Sequence, residues 1–97
     1  MKLRELMKLY GLKLDMVVVD VCVGERVSVL LAGVKYFEKH LEGCSERTFP
    51  GWGSTPNEAI KDYVSEMRTV AKSRELMSFV DGDGKTHTIP VPMITSF

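Results

Sequence analysis

Apolar residues near the start of the chain recur at the spacing of a helix. Leu3, Leu6, Met7 and Tyr10 stand at positions i, i+3, i+4 and i+7, which places them on one face of an α-helix. Gly11 follows directly, at the point where helices commonly end in a left-handed residue. We therefore predict a short helix over residues 1–11. Its other face carries mostly charged side chains: Lys2, Arg4, Glu5 and Lys8.

The next segment alternates between apolar and other residues with a period of two, which is typical of strands. One series consists of Val17, Val19, Val21 and Val23, and the next, after Gly24-Glu25-Arg26, of Val27, Val29 and Leu31. A two-residue turn at Gly24-Glu25 would oppose Val23 and Arg26, whereas a three-residue loop over 24–26 opposes Val23 and Val27. Only the longer loop keeps both apolar series on one face. We therefore predict a β-hairpin with a three-residue loop, in which Val21 pairs with Val29 and Val19 with Leu31.

Residues 33–47 permit two interpretations. Val34, Phe37 and Leu41 have helical spacing, whereas Val34 and Tyr36 also fit an extension of the preceding strand. We expect a third antiparallel strand at Cys44–Phe49, so that antiparallel strands occupy residues 14–50. Charged residues in this part indicate an edge strand or a strand with one solvated face.

The segment that begins at Thr55 combines three signals of a helix start. Thr55 suits the N-cap, Pro56 suits the first helical position, and Glu58, three residues after Thr55, suits a capping box. We predict a helix over 55–72 that packs its apolar stripe on a sheet. The stripe consists of Ile60, Tyr63, Val64, Met67, Val70 and Ala71.

Two strand-like runs after residue 76 flank a cluster of turn-forming residues. The runs Met77–Val80 and Thr86–Val91 lie on either side of Asp81-Gly82-Asp83-Gly84, which predicts a β-hairpin over 76–92. The last strand should lie at an edge, or end at its prolines, because proline has no N–H to donate.

These elements predict an α+β fold. Its core is an α-β-β-β-α arrangement in which an antiparallel sheet packs on one capped helix, with a C-terminal β-hairpin added. A length of 97 residues suits one domain, which we expect to span 1–97. The apolar content of 44% and the charged content of 27% are ordinary for a globular protein.

The charge balance narrows the choice of partners. Thirteen Lys and Arg offset thirteen Asp and Glu, so the formal net charge is zero. Nucleic-acid and anionic-membrane binders favour a basic surplus, whereas proteins near zero net charge associate more readily. We also find no apolar run long enough for a secretory signal or a membrane span. With two cysteines that form no CxxC pair, these features lead us to expect a cytoplasmic protein without a membrane interaction.

Residues that suggest chemistry do not form a catalytic pattern. Gly84-Lys85-Thr86 ends like a phosphate-binding P-loop, but Phe79 stands where that motif needs its first glycine. The four metal-ligating candidates are scattered without paired spacing: Cys22, His40, Cys44 and His87. No nucleophile has an activating neighbour in the sequence. We therefore expect no enzyme activity, no cofactor and no metal site.

Gly51-Trp52-Gly53 is the segment that most suggests binding. Its glycines allow close backbone approach, and the following helix start offers N–H groups to an anion, while Trp52 would stack on a base or a partner. In the structural alternative, Phe49 and Trp52 pack under the helix and the glycines form a bend. We weigh the structural alternative above the functional one. The candidate binding residues are Gly51, Trp52 and Gly53 with the basic residues Lys2, Arg4 and Lys8.

The order helix, three strands, helix resembles the double-stranded RNA-binding domain, most closely over Gly51–Ala59. That resemblance implies a Lys-rich helix start, which Pro56–Ile60 does not contain. The segment Phe49-Pro50-Gly51 followed by Gly53–Ile60 is also similar to HicB-type antitoxins, over about a third of the chain. Small phage and prophage proteins look similar at the same strand–Gly–Thr-Pro-x-Glu-Ala–helix junction. The shared motif is largely helix-capping chemistry.

The leading functional expectation is a small non-enzymatic accessory protein of phage or bacterial origin. It would act by binding another protein or by self-association, through exposed strand edges near Pro90–Phe97. The alternative is a divergent module that binds double-stranded RNA through Lys2, Arg4, Lys8, Lys13 and Trp52, or a HicB-like antitoxin.

Overall fold

The computed structural model describes residues 1–22, 24–38 and 46–97. Within these ranges the chain forms two helices and six strands, which confirms the α+β class. In chain order they are α1 (Leu3–Tyr10), β1 (Leu14–Val21), β2 (Gly24–Leu31), β3 (Lys35–Phe37), β4 (Gly51–Gly53), α2 (Pro56–Lys72), β5 (Leu76–Val80) and β6 (Thr86–Pro90).

The strands form two small antiparallel sheets. Sheet A has the order β1-β2-β4, and α2 packs on one of its faces. Sheet B has the order β3-β5-β6, so the predicted C-terminal hairpin is present and pairs with β3. The helix–sheet core and the added hairpin are therefore confirmed.

The predicted register of the first hairpin is wrong. Val21 pairs with Gly24, so two residues connect β1 to β2, and Gly24-Glu25-Arg26 belongs to β2. The pairs that follow are Val18–Val27, Met16–Val29 and Leu14–Leu31. The prediction failed because it required both valine series to share one face. Instead Val27, Val29 and Leu31 are buried, while Val17 on β1 is 53% exposed on the other face.

The third strand of sheet A also differs from the prediction. Of the predicted strand Cys44–Phe49, Cys44 and Ser45 lie outside the described residues. Arg47 makes a single bridge to Tyr36, with hydrogen bonds of 2.8 and 2.9 Å between their backbones. The strand that joins sheet A is β4, because Gly51 pairs with Val29 and Gly53 with Val27. Residues 33–47 had two interpretations, a helix or an extension of the preceding strand. Lys35–Phe37 is extended, but it forms a separate strand in sheet B. Leu41 lies outside the described residues.

Helix α2 begins as its sequence predicts. The Thr55 hydroxyl accepts a hydrogen bond from the Glu58 N–H at 3.2 Å, and Pro56 occupies the first turn. The Glu58 carboxylate accepts from the Ser54 N–H at 2.9 Å, one residue before the N-cap. The helix buries its apolar stripe against sheet A. Of the predicted stripe, the buried members are Tyr63, Val64, Met67 and Val70, while Ile60 and Ala71 are half-buried; Ala59, outside the predicted stripe, is also buried.

The segment after β6 is paired, so the predicted free edge near Pro90–Phe97 is wrong. The Leu3 N–H donates to the Ser96 carbonyl at 2.9 Å, and the Thr95 N–H donates to the Met1 carbonyl at 3.0 Å. Val91 and Ile94 are buried in the core. The C-terminal segment thereby holds α1, whose Leu3 and Leu6 are also buried, against the rest of the molecule.

A buried aromatic cluster joins the two sheets to α2. The hydroxyls of Tyr36 and Tyr63 are hydrogen-bonded at 2.7 Å, and the Phe49 ring stacks on Tyr36 with a centroid distance of 4.4 Å. Burial raises the pKa of both tyrosines above the ordinary value, because an ionised phenol would lose its hydration there. Both hydroxyls therefore stay protonated, and one donates the hydrogen bond that the other accepts.

Candidate binding surface

Gly51 and Gly53 let α2 approach β4 at backbone distance. A Cβ atom added to Gly51 would lie 2.3 Å from the Ala59 carbonyl oxygen and 2.4 Å from the Tyr63 nitrogen. At Gly53 the added atom would lie 2.5 Å from the Ala59 nitrogen. No side chain fits in this space, because the obstructing atoms belong to helix backbone. The glycines thus serve close packing, and the predicted bend is not their role.

The same geometry turns Trp52 away from the helix. Neighbouring residues of a strand point to opposite faces, so with Gly51 and Gly53 against α2 the indole lies on the far side of sheet A. Its side chain is 40% exposed. The backbone N–H of Trp52 donates to the Asp62 carboxylate at 2.8 Å, which fixes the strand to α2. The expectation that Trp52 packs under the helix is wrong, whereas Phe49 does pack there.

Trp52 belongs to a partly apolar surface that we call the outer face of sheet A. Val17, Ser28 and Trp52 form one row across its three strands. Adjacent rows pair Val19 with Arg26 and Asp15 with Leu30. Val17 and Trp52 are exposed, and Val19 and Leu30 are half-buried.

Strand β1 forms a long edge with exposed apolar side chains. Met16, Val17 and Val18 are 43%, 53% and 60% exposed. They follow one another in the chain, so both faces of this edge strand are apolar. Of these three residues, only Val17 belongs to the apolar series that the sequence predicted for the shared face of the hairpin, because alternation alone does not distinguish an edge strand from a covered one.

The backbone of β1 alternates between bonds to β2 and free groups. The Ala32 N–H donates to the Lys13 carbonyl at 2.9 Å, in register with the β1–β2 pairs. In an antiparallel ladder every second residue bonds the partner strand, so Asp15, Val17 and Val19 bond β2. Met16 and Val18 therefore direct their N–H and C=O groups away from the sheet, as an unpaired edge does.

The N-terminus of α2 is already occupied by the protein's own oxygens. Thr55, Glu58 and Asp62 accept the N–H groups of Glu58, Ser54 and Trp52 respectively. Two of these acceptors carry negative charge, which repels an added phosphate. The predicted anion site at this helix start is therefore disfavoured.

The basic residues of α1 are placed apart from Trp52. The Arg4 guanidinium lies over the Phe97 ring, 5.8 Å from its centroid, and the Lys2 N–H faces the Glu5 carboxylate at 3.4 Å. No hydrogen bond, ion pair or ring contact joins Trp52 to Lys2, Arg4 or Lys8, all of which belong to the described part of the chain. The predicted binding residues therefore form no single site, because no interaction of these kinds joins Gly51–Gly53 to Lys2, Arg4 or Lys8 within the described residues.

The turn between β5 and β6 is closed by Asp81. One carboxylate oxygen accepts the N–H groups of Asp83 and Lys85 at 2.8 and 2.9 Å, and the other lies 2.6 Å from the His87 Nε2. The hydrogen bond from His87 and those from the backbone hold the pKa of the Asp81 carboxyl below its usual value of 3.8. The resemblance of Gly84-Lys85-Thr86 to the end of a phosphate-binding P-loop is explained by turn formation.

Glu75 is a buried charge that the sequence did not reveal. It is 4% exposed and lies next to a cavity of about 550 Å³ between the end of α2 and β6. The Arg47 Nη2 lies 2.7 Å and 2.9 Å from its two carboxylate oxygens. This pair ties the segment before β4 to the end of α2, since a buried carboxylate needs a cation.

The described residues contain neither a membrane-spanning helix nor a metal-binding cluster. Neither helix there has the length and apolar character to cross a membrane. In residues 1–22, 24–38 and 46–97, no group of three or more His, Cys, Asp or Glu side chains is arranged to hold a metal ion. His40 and Cys44, named above as scattered ligand candidates, lie outside those ranges.

Comparison with known proteins gives no relative from which a function can be transferred. The chain matches no protein-family model, no curated protein and no solved structure.

Proposed function

We propose that this protein is a non-enzymatic binding protein that holds another protein chain, or a second copy of itself, on sheet A. The observation that supports this proposal most directly is the orientation of Trp52. Two glycines and the Asp62 carboxylate hold the backbone so that a large aromatic side chain faces solvent. Tryptophan is among the residues that contribute most to protein interfaces.

The surroundings of Trp52 support the same function. Val17 lies in the same row of the outer face, and Met16 and Val18 are exposed beside it on the β1 edge. Contiguous exposed apolar surface is a mark of interaction sites, and an unpaired strand edge accepts an added strand through its backbone. The zero net charge removes a general electrostatic barrier to association.

The accessory role in a bacterium or phage, and a cytoplasmic location, belong to this proposal through the resemblances of the Thr-Pro-x-Glu-Ala junction. RNA binding is the less supported alternative, because carboxylates occupy the start of α2 and Trp52 is separate from the basic residues of α1.

Affinity capture tests the proposal with a matched pair of variants. The immobilised protein, Trp52→Ala and Leu9→Ala are exposed to the same bacterial lysate. Leu9 is the control because it is exposed and apolar but lies on α1, which is not part of sheet A. We expect a protein retained by the parent chain and by Leu9→Ala to be lost from Trp52→Ala. Equal retention by all three chains would show that the outer face around Trp52 does not carry the binding.

Titration of the protein with duplex RNA, followed by the emission of its single tryptophan, distinguishes RNA binding from the proposed protein binding. Trp52 emission that changes with RNA at low salt and reverses at physiological salt would establish an RNA-binding surface and refute the proposal. We expect no response to RNA at either salt concentration.

A further inference from the structure

We propose that the β1 edge binds the β1 edge of a second copy of this chain, antiparallel and about a two-fold axis at Val17. The result is one continuous sheet with the order β4-β2-β1-β1-β2-β4. This inference rests on the proposed function, because it names one occupant for part of the same surface.

The position of the exposed residues identifies a second copy as the occupant. Met16, Val17 and Val18 are consecutive and all exposed. In an antiparallel pair centred on Val17, Val17 lies opposite Val17 of the second copy and Met16 lies opposite Val18 of the second copy. In one symmetric contact, each of the three apolar side chains of one copy therefore packs against an apolar side chain of the other copy.

The free backbone groups fit the same register. Paired residues in a sheet share a face, so a two-fold axis between identical antiparallel strands must place one residue opposite itself. With Val17 at the centre, Met16 and Val18 form the hydrogen-bonded pairs. These are the residues whose N–H and C=O groups point away from β2. No bond inside either copy has to break.

The charges of β1 also favour this register. Asp15 and Asp20 bracket the apolar run, and in the register centred on Val17 they lie opposite Val19 and Leu14 of the second copy, so no two carboxylates face each other. Val19 of the second copy is paired in turn with Arg26 of that copy. Asp15 and that Arg26 therefore lie on the same face two strands apart, with about 10 Å between their Cα atoms. Arginine and aspartate side chains together span that distance. Neither Arg26 nor Asp15 makes an ion pair within the described residues.

The size of the contact predicts a weak dimer. A single strand edge buries less surface than the roughly 1,200–2,000 Å² of a stable interface. We therefore expect association in the range of about 1 µM to 1 mM, which corresponds to about −8 to −4 kcal/mol.

Site-specific cross-linking tests the register. In a chain carrying Cys22→Ser and Cys44→Ser, a single cysteine is introduced by Val17→Cys, Val19→Cys or Val80→Cys. Residues in a non-hydrogen-bonded antiparallel pair are about 4.5 Å apart between Cα atoms, which suits a disulfide. We expect oxidised glutathione to convert Val17→Cys to a covalent dimer at least tenfold faster than the other two. Val80 is the matched control, because it is a valine of similar exposure, 58%, on sheet B. Equal rates at all three positions would overturn the inference.

Sedimentation analysis of the purified protein supplies a second readout. Val17→Lys places two ammonium groups opposite each other, and we expect at least a tenfold weaker dimer, whereas Val80→Lys retains the parent affinity. Trp52→Ala should also retain it, because β2 separates Trp52 from the proposed contact. Loss of the dimer in Trp52→Ala but not in Val17→Lys would show pairing through the outer face and refute the edge contact. A monomer at millimolar concentration would refute the inference outright.

The two proposals fail separately. If the purified chain is monomeric but a Trp52-dependent protein is captured from a lysate, the dimer is refuted and the proposed function stands. If the chain dimerises through Val17 but captures no Trp52-dependent protein, the contact with a second copy is established and heterologous binding by the outer face is refuted.

Discussion

At the scale of single residues, the glycines on either side of Trp52 have two effects: they let α2 pack closely on β4, and they leave the Trp52 side chain exposed. Gly51 and Gly53 remove side chains from the α2–β4 contact, so helix backbone meets strand backbone. The residue between them then has no helix to pack against. A pattern that resembles a flexible binding loop is in fact a rigid strand that presents one aromatic side chain.

Gly51→Ala should destabilise the protein by about 2–3 kcal/mol, because the new methyl group overlaps helix backbone that cannot rotate away. Gly82→Ala is the control. The added carbon there would have its nearest neighbour at 3.8 Å, and Gly82 has no positive φ, so we expect a change below about 0.5 kcal/mol. Urea unfolding of both variants measures the difference. Equal midpoints would contradict the close approach of α2 to β4.

The Asp81–His87 contact predicts a dependence of stability on pH. The pKa of the Asp81 carboxyl is lower in the folded than in the unfolded chain. Its contribution is therefore fully present above the unfolded pKa, near 3.8, and is lost as the pH falls through the folded pKa. The stability difference between the parent and Asp81→Asn should shrink as the pH falls below about 4. Urea unfolding from pH 7 to pH 2 measures it.

Asp83→Asn is the matched control for this titration. Asp83 shares the turn, but its carboxylate accepts no hydrogen bond within the described residues. We expect its difference from the parent to change little over the same pH range. A parallel decline in both variants would assign the effect to the net charge of the turn and contradict the specific role of Asp81.

At the scale of elements, the register of the first hairpin places like charges together. Asp20 lies directly opposite Glu25, and both are exposed. Like charges in such a pair are unfavourable, so Glu25→Lys should stabilise the protein by about 0.2–1 kcal/mol. Urea unfolding of Glu25→Lys, Asp20→Ser and the double variant measures the coupling. A gain that persists when Asp20 is serine would refute the register.

Sequence alone predicted the elements that local chemistry specifies. The α2 start followed from Thr55, Pro56 and Glu58, whose hydrogen bonds are local. The C-terminal hairpin followed from Asp81–Gly84, where Asp81 organises the turn. Such signals need no knowledge of distant residues.

The rest required contacts between segments that are distant in sequence. The β1–β2 register depends on which strand lies at the edge, and the valine alternation of β1 fits an edge as well as a core position. Trp52 was assigned to the wrong side because Gly51 and Gly53 reveal their role only when Ala59 and Tyr63 are in place. The Arg47–Glu75 pair had no sequence signal at all.

At the scale of the whole molecule, the segment after β6 holds α1 in place. Ile94 is fully buried, and the backbone around it bonds residues at the start of the chain. Ile94→Ala should destabilise the protein by about 2–5 kcal/mol, because it leaves a cavity in the core. Met93→Ala, at a neighbouring position that is 44% exposed, should cost much less. Urea midpoints that do not differ between the two would refute the burial of this segment.

The pairing of Met1 with Thr95 also bears on synthesis. Thr95 and Met1 are 94 residues apart in sequence, so α1 leaves the ribosome long before the strand-like segment that holds it exists. At about 5–20 residues per second the delay is about 5–20 s. Throughout that interval Leu3 and Leu6 lack the native contacts that Ser96 and its neighbours secure. Helix α1 therefore reaches its native packing only after translation has passed Ser96.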